Sequence, residues 1–260
     1  MPRSRPIIAA AALGLVSAAC ATAPAPQSGF LTSYEGLQAR GDTVRASVRQ
    51  RRDEALVRGL ERVRIEPAVL TTGAAPQDLT EAERALVLNE IDRQVCYELS
   101  ERFALAGPED DQAGRVRVAA TRISPTGRVA SAASAVAGQF IPGPIGLRAP
   151  GTTGGLAAEA ELLTPDGRQA AALMFARDAN VVGTDNPSLS RVGDAHQFAE
   201  TFGDMAADAL AGEARPAGAV PDPDPCARYG PRVRPEGFVA RAVTGLYDPG
   251  LSGGRAPEED

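Results

Sequence analysis

The chain has 260 residues, 43% apolar and 4% aromatic, with a formal net charge of −6 and no tryptophan. That length suits one domain of roughly 150 residues with appendages, its core built from Ala, Val and Leu side chains that each bury little area. All 27 basic residues are arginine; this excludes a Schiff-base lysine, a P-loop lysine and a Ser–Lys dyad, and the acidic balance gives no general attraction to nucleic acid.

Residues 1–19 read as a secretory leader. Arg3 and Arg5 form a positive n-region, Ile7 to Val16 an apolar run too short to span a bilayer, and Ser17-Ala18-Ala19 a small-residue cleavage site. The stretch VSAAC, Val16 to Cys20, resembles the lipobox of bacterial lipoproteins, although Ser17 stands where leucine is usual. The resemblance implies that Cys20 is acylated, becomes the mature N-terminus and reaches the membrane through its lipid, with residues 20–27 as a flexible tether. Several acyl chains hold a protein firmly where one is marginal. Ala21 replaces the aspartate that retains such proteins at the inner membrane, which implies the periplasmic side of the outer membrane in a Gram-negative source. An ordinary signal peptide cut near Ala19 is the other reading of these residues.

With Cys20 assigned to lipid, Cys96 and Cys226 remain as an even pair in an oxidising compartment. Cys226 lies in PDPDPCARYGPR, which has too little apolar periodicity to hold itself down. A Cys96–Cys226 disulfide would pin that tail across a helix; two free thiols are the alternative.

Arg45 to Leu60 is Arg-rich, with Val48, Leu56, Val57 and Leu60 at partly helical spacing, and reads as a solvated helix or an irregular approach. Its arginines are placed to meet lipid headgroups or simply water. Val63 to Glu66 alternates as a strand and stops at Pro67. Thr80 and Glu83 make a capping box, and Leu88, Ile91, Val95, Leu99 and Phe103 form a stripe at spacings of three and four, closed by Gly107-Pro108. Arg115 to Ile123 is a second strand. Val129 to Gly155, rich in Gly, Ala and Ser, reads as a surface excursion. Leu156 to Thr164 and Gln169 to Arg177 form two strands about the turn Pro165-Asp166-Gly167. A closing helix capped by Ser188 or Ser190 carries Phe198, Phe202, Met205, Ala206 and Leu210 inward and stops at Gly212. The order β-α-β-β-β-α predicts an α+β fold: a small, mostly antiparallel sheet with two helices on one face. One domain spans residues 28–212, and 213–260 form an irregular or disordered Pro/Gly-rich tail.

A second resemblance rests on the order of short motifs. The lipobox cysteine, the tether, SGFL with Tyr34 and Leu37 behind it, the hairpin EAELLTPDGR and the helix GDAHQFAETFGDMAADAL resemble the DUF3313 family of bacterial lipoproteins, whose function is uncharacterised. The likeness covers roughly Gln27 to Ala211. The chain departs from the pattern in its Pro-rich tail and in lacking tryptophan in the closing helix. The resemblance implies location and a single domain, and no mechanism.

Chemistry-bearing residues are sparse. His196 is the sole histidine, and Ser190 and Asp194 lie near it in sequence, but no G-x-S-x-G elbow is present. On a helix whose core face lies elsewhere, His196 is expected to face solvent. Glu159 and Glu161 share one strand face, as paired glycosidase carboxylates do, though alternation on an exposed strand gives the same pair. Cys96, Cys226 and His196 are too few for zinc. Glu109 to Asp111 lacks the glycine and distal glutamate of a calcium loop. Gly151 to Gly155 precedes a strand rather than a helix, and Arg40-Gly41-Asp42 is a three-residue coincidence. No cofactor is expected. The reading is a non-enzymatic envelope lipoprotein, an accessory or binding module with an envelope protein partner; the alternative is a periplasmic hydrolase acting on cell wall or lipid.

Overall fold

The computed structural model describes residues 22–43, 45–127, 146–148, 153–180, 182–183, 185–213, 215–232 and 234–252. Cys20 and most of the Val129–Gly155 excursion lie outside them. In chain order the strands are β1 (Gln38–Ala39), β2 (Ala46–Arg52), β3 (Arg62–Ile65), β4 (Val69–Leu70), β5 (Ala104–Leu105), β6 (Gly114–Ser124), β7 (Gly146–Leu147), β8 (Gly155–Leu163), β9 (Gln169–Asp178) and β10 (Val182–Gly183). The helices are α1 (Glu54–Arg58), α2 (Glu81–Ser100), α3 (Gly193–Ala211), α4 (Pro235–Thr244) and α5 (Pro249–Ser252).

Eight strands form one sheet in the order β1-β2-β9-β8-β6-β3-β5, with β4 also on β6; β7 and β10 pair separately. The expected series of strand, helix and three strands before a helix is met by β3, α2, β6, β8, β9 and α3. The sheet is mixed rather than mostly antiparallel. β2, β9, β8 and β6 pair antiparallel, whereas β3, β4 and β5 pair parallel to their neighbours. The reason is α2: a chain that leaves β3, crosses in a helix and returns as β6 arrives in the same direction.

Helices α2 and α3 cover one face of the sheet. Thr80 and Glu83 form the expected capping box on α2. Ile91, Val95 and Leu99 are buried against Phe198, Phe202 and Leu210 of α3 and against Val118, Leu162 and Phe175 of the sheet. Phe175 and Phe202 meet edge to face at 5.6 Å, a geometry aromatic quadrupoles favour. At Gly203 the two helices touch so closely that an added Cβ would lie 2.7 Å from Gln94 Cβ.

Several boundaries differ from the sequence reading. Ala46–Arg52 is a strand, with Val48 opposite Phe175; the apparent helical spacing mixed this strand with α1. α2 ends at Ser100, before Gly107-Pro108, because the chain turns into β5. α3 starts without a side-chain cap, Val192 standing at the N-cap, and ends at Gly212, whose φ of 71° is open to glycine. Part of the tail is regular: it holds α4, α5 and a short 3-10 turn, Ala227–Tyr229.

Candidate functional site

The two glutamates of β8 are neither exposed nor open. Glu159 and Glu161 are 1% and 0% exposed, because residues 28–37 run as a strap over the sheet face opposite the helices. The Ser28 amide and hydroxyl donate to Glu159 at 3.1 and 2.7 Å, and the Tyr34 hydroxyl donates to it at 2.7 Å. The Thr32 amide and hydroxyl donate to Glu161 at 2.8 and 3.1 Å, joined by Arg117 at 2.7 Å and Gln169 at 2.9 Å. Leu31 and Leu37 pack on Ala172 and Met174 of the same face. A buried carboxylate with this many donors is stabilised as a structural acceptor.

His196 is likewise buried, 1% exposed rather than solvent-facing, because α4 and α5 cover that side of α3. Its Nδ1 lies 2.6 Å from the Tyr247 hydroxyl and its Nε2 3.6 Å from Glu90. Burial, then the nearby charges of Arg93 and Arg234, hold its pKa down at about 3, so the ring is neutral at ordinary pH. Burial, with Glu90 and Glu200 nearby, raises the Tyr247 pKa above the usual phenol value. A cavity of about 310 Å³ adjoins these residues, lined also by Arg93, Gln94 and Arg241.

Ser190 and Asp194 do not join His196. The Asp194 carboxylate accepts from both Arg148 terminal nitrogens at 2.7 and 3.0 Å, from the Gly154 amide at 2.7 Å and from Thr126 at 3.0 Å. Ser190 Oγ accepts from the Val192 amide at 3.3 Å. The acidic turn faces arginines, Asp110 lying 3.1 Å from Arg62, and Arg40 pairs with Asp42 at 2.6 Å. Among the described residues no three His, Cys, Asp or Glu side chains group as metal ligands, and no helix is long and apolar enough to cross a membrane. The arginines of 45–60 serve the fold: Arg52, for one, donates to the Asp208 and Ala209 carbonyls at 3.0 Å, at the C-terminus of α3.

Cys96 and Cys226 form a disulfide with a Cα separation of 5.9 Å. Arg232 reinforces it, donating to the Tyr97 carbonyl at 3.1 Å and Ser100 at 2.7 Å, and stacking 4.5 Å over the Tyr97 ring. The Tyr97 hydroxyl donates to the Gly230 carbonyl at 2.8 Å. This polar clasp had no sequence signal, since its partners lie more than 130 positions apart.

The fold and these seams define a mixed α+β sandwich with a strap over its open face and a disulfide-pinned tail, in which Ser190 and Asp194 stand apart from His196. The chain belongs to the DUF3313 family, described as a protein of unknown function, whose profile matches residues 26–206. That match takes in the strap, the sheet and most of α3. No curated protein matches the chain. Among solved structures it is similar to the PelC dodecamer from Paraburkholderia phytofirmans, at 12% identity and a TM-score of 0.37, over 65% of this chain and 99% of that one. A substituted form of the same dodecamer gives 12% and 0.36, over 65% and 98%. Likenesses this distant inform neither mechanism nor assembly.

Proposed function

We propose that the chain is an envelope lipoprotein, held at the periplasmic side of the outer membrane by acylated Cys20, that acts as a non-enzymatic accessory or binding module for another envelope component. The observation that carries the reading is the Cys96–Cys226 disulfide. It supports an oxidising compartment and leaves Cys20, directly behind Ser17-Ala18-Ala19, as the cysteine available for lipid. The hydrolase alternative draws on the His196 cavity, but the hydroxyl on the His196 ring is the phenol of Tyr247, held by burial in its protonated, weakly nucleophilic form. Fractionation of cells carrying wild type or Cys20→Ser, with mass spectrometry of the mature N-terminal peptide, tests the proposal. Wild type is expected in outer membranes with a lipid-sized mass increment, and the variant in the soluble periplasm. Unchanged membrane fractionation of the variant refutes the anchor.

A further inference from the structure

At the edge of the sheet a groove of about 530 Å³ opens beside β3. It exists because β5 is short. The pairing of β5 with β3 ends at Val63 and Leu105, and one more bond follows, from the Ala106 amide to the Val63 carbonyl at 2.9 Å. Past that bond Gly107 and Pro108 line the groove, and Arg64 donates to the Pro108 carbonyl at 2.8 Å. The disulfide supplies the other wall. With Cys226 fixed to Cys96, Pro225 and Arg228 of the tail line the same groove as Ile65 and Leu105. Both of those side chains pack on the buried cystine.

The lining is aliphatic surface with two cations. Ile65, Leu105, Cys96 and the prolines at 67, 108 and 225 provide the apolar part. Arg64 Nε is buried without a hydrogen-bond partner among the described residues. Its terminal nitrogen lies 3.8 Å from Asp111, a carboxylate 89% exposed, and a surface pair of that kind contributes little. Arg228 stacks 4.7 Å over the Tyr229 ring and donates to its hydroxyl at 2.9 Å. Asp92 lies within range of the Arg228 charge but accepts the Ala68 amide at 2.7 Å. Glu66 leans to Arg115 of β6 at 3.6 Å. The groove thus presents cations over an apolar floor. Its described lining offers no aromatic ring on which a base would stack and no hydroxyl or amide side chain to read a sugar.

We propose that this groove is a binding site for an aliphatic carboxylate, with its hydrocarbon chain on the cystine, Ile65 and Leu105 and its head group drawn by Arg64 and Arg228. A cavity of this size, mostly apolar with a few convergent charges, is the form that small-molecule sites take. A guanidinium fork matches a carboxylate in shape and charge. The proposal rests on the binding-module reading, to which it gives a place and a ligand class, and uses neither Cys20 nor the His196 cavity.

The full chain carrying Cys20→Ser, handled without detergent, is titrated with decanoate, decanol and butyrate and followed by calorimetry and by amide shifts in NMR. Decanoate is expected to bind and to move the amides of Ile65, Leu105, Ala106 and Arg228. Decanol lacks the charge and butyrate the chain, and each is expected to bind at least about tenfold more weakly. Arg64→Gln with Arg228→Gln is expected to weaken decanoate by about tenfold or more. Arg228→Gln alone, at an exposed position of the tail, gives the same direction should the double variant fold poorly. Arg241→Gln, in the His196 cavity, is expected to change nothing. No binding of decanoate, equal binding of decanol, or shifts confined to other residues overturns the site and leaves the anchor standing. A wild-type chain found without lipid on Cys20 overturns the anchor and leaves this site standing.

Discussion

Ser28 and Glu159 lie 131 positions apart in the chain and are joined by two hydrogen bonds, from the Ser28 amide and from its hydroxyl. The contact fastens the strap to β8, the central strand of the sheet. With Thr32 on Glu161 it turns a pair of carboxylates into the seam between strap and domain.

That seam can be opened by one substitution. Glu161→Ala removes the acceptor for Thr32, Arg117 and Gln169 and leaves the buried Gln169 amide unsatisfied, at a cost of about 1–3 kcal/mol. Urea unfolding is expected to show that loss, and limited proteolysis to cut between Leu31 and Leu37. Glu161→Gln keeps an acceptor and is expected to lose less. A variant as stable and as protease-resistant as wild type would show that the strap is held elsewhere.

The approach of α2 and α3 at Gly203 makes a prediction against helix propensity. Alanine is favoured over glycine within a helix by about 1 kcal/mol. At this position its Cβ meets Gln94 side chain and backbone, and such overpacking costs about 1–3 kcal/mol. Gly203→Ala is therefore expected to lower the urea midpoint, and a rise would show that the helices part easily.

The disulfide closes a sequence separation of 130 residues. Chain entropy puts the stabilisation from a loop of that size at up to about 4–5 kcal/mol. Cys96→Ser with Cys226→Ser is expected to lower the melting temperature markedly and to expose residues 213–252 to protease. Wild type under reducing conditions should match the double variant.

Two groups, buried His196 and partly buried Glu98, set opposite pH limits. The folded pKa of His196, about 3, lies below its ordinary 6.5, so the unfolded chain takes up a proton first and stability falls as pH drops through that interval. Glu98 behaves oppositely: burial, then repulsion from Asp204 and Glu101, raises it from 4.5 to about 7. The folded chain keeps that proton longer, so stability falls as pH rises from 4.5 through 7. Asp92, raised by burial to about 6, acts in the same direction. Glu98→Gln is expected to raise the melting temperature at pH 8 and leave it unchanged at pH 4.5. Parallel curves for the variant and wild type would remove Glu98 as a cause.

The sequence by itself determined the elements whose signals are local. Thr80 and Glu83 with the stripe from Leu88 to Leu99 specify α2, alternation specifies β6, β8 and β9, and Pro165-Asp166-Gly167 specifies the turn between the last two. The expected pairing of Cys96 with Cys226 is present. β2 was hidden because Val48 is its one buried apolar residue among polar and arginine side chains that serve distant partners. Tertiary structure alone decided what covers each face. A period of two sets Glu159 and Glu161 on the side away from Leu162, but the strap that buries them comes from 125 or more residues upstream. A period near 3.6 takes His196 off the sheet-facing stripe, but Tyr247, 51 residues later, turns that face into an interior. Periodicity records which side chains share a face, and only long-range packing decides whether that face meets water.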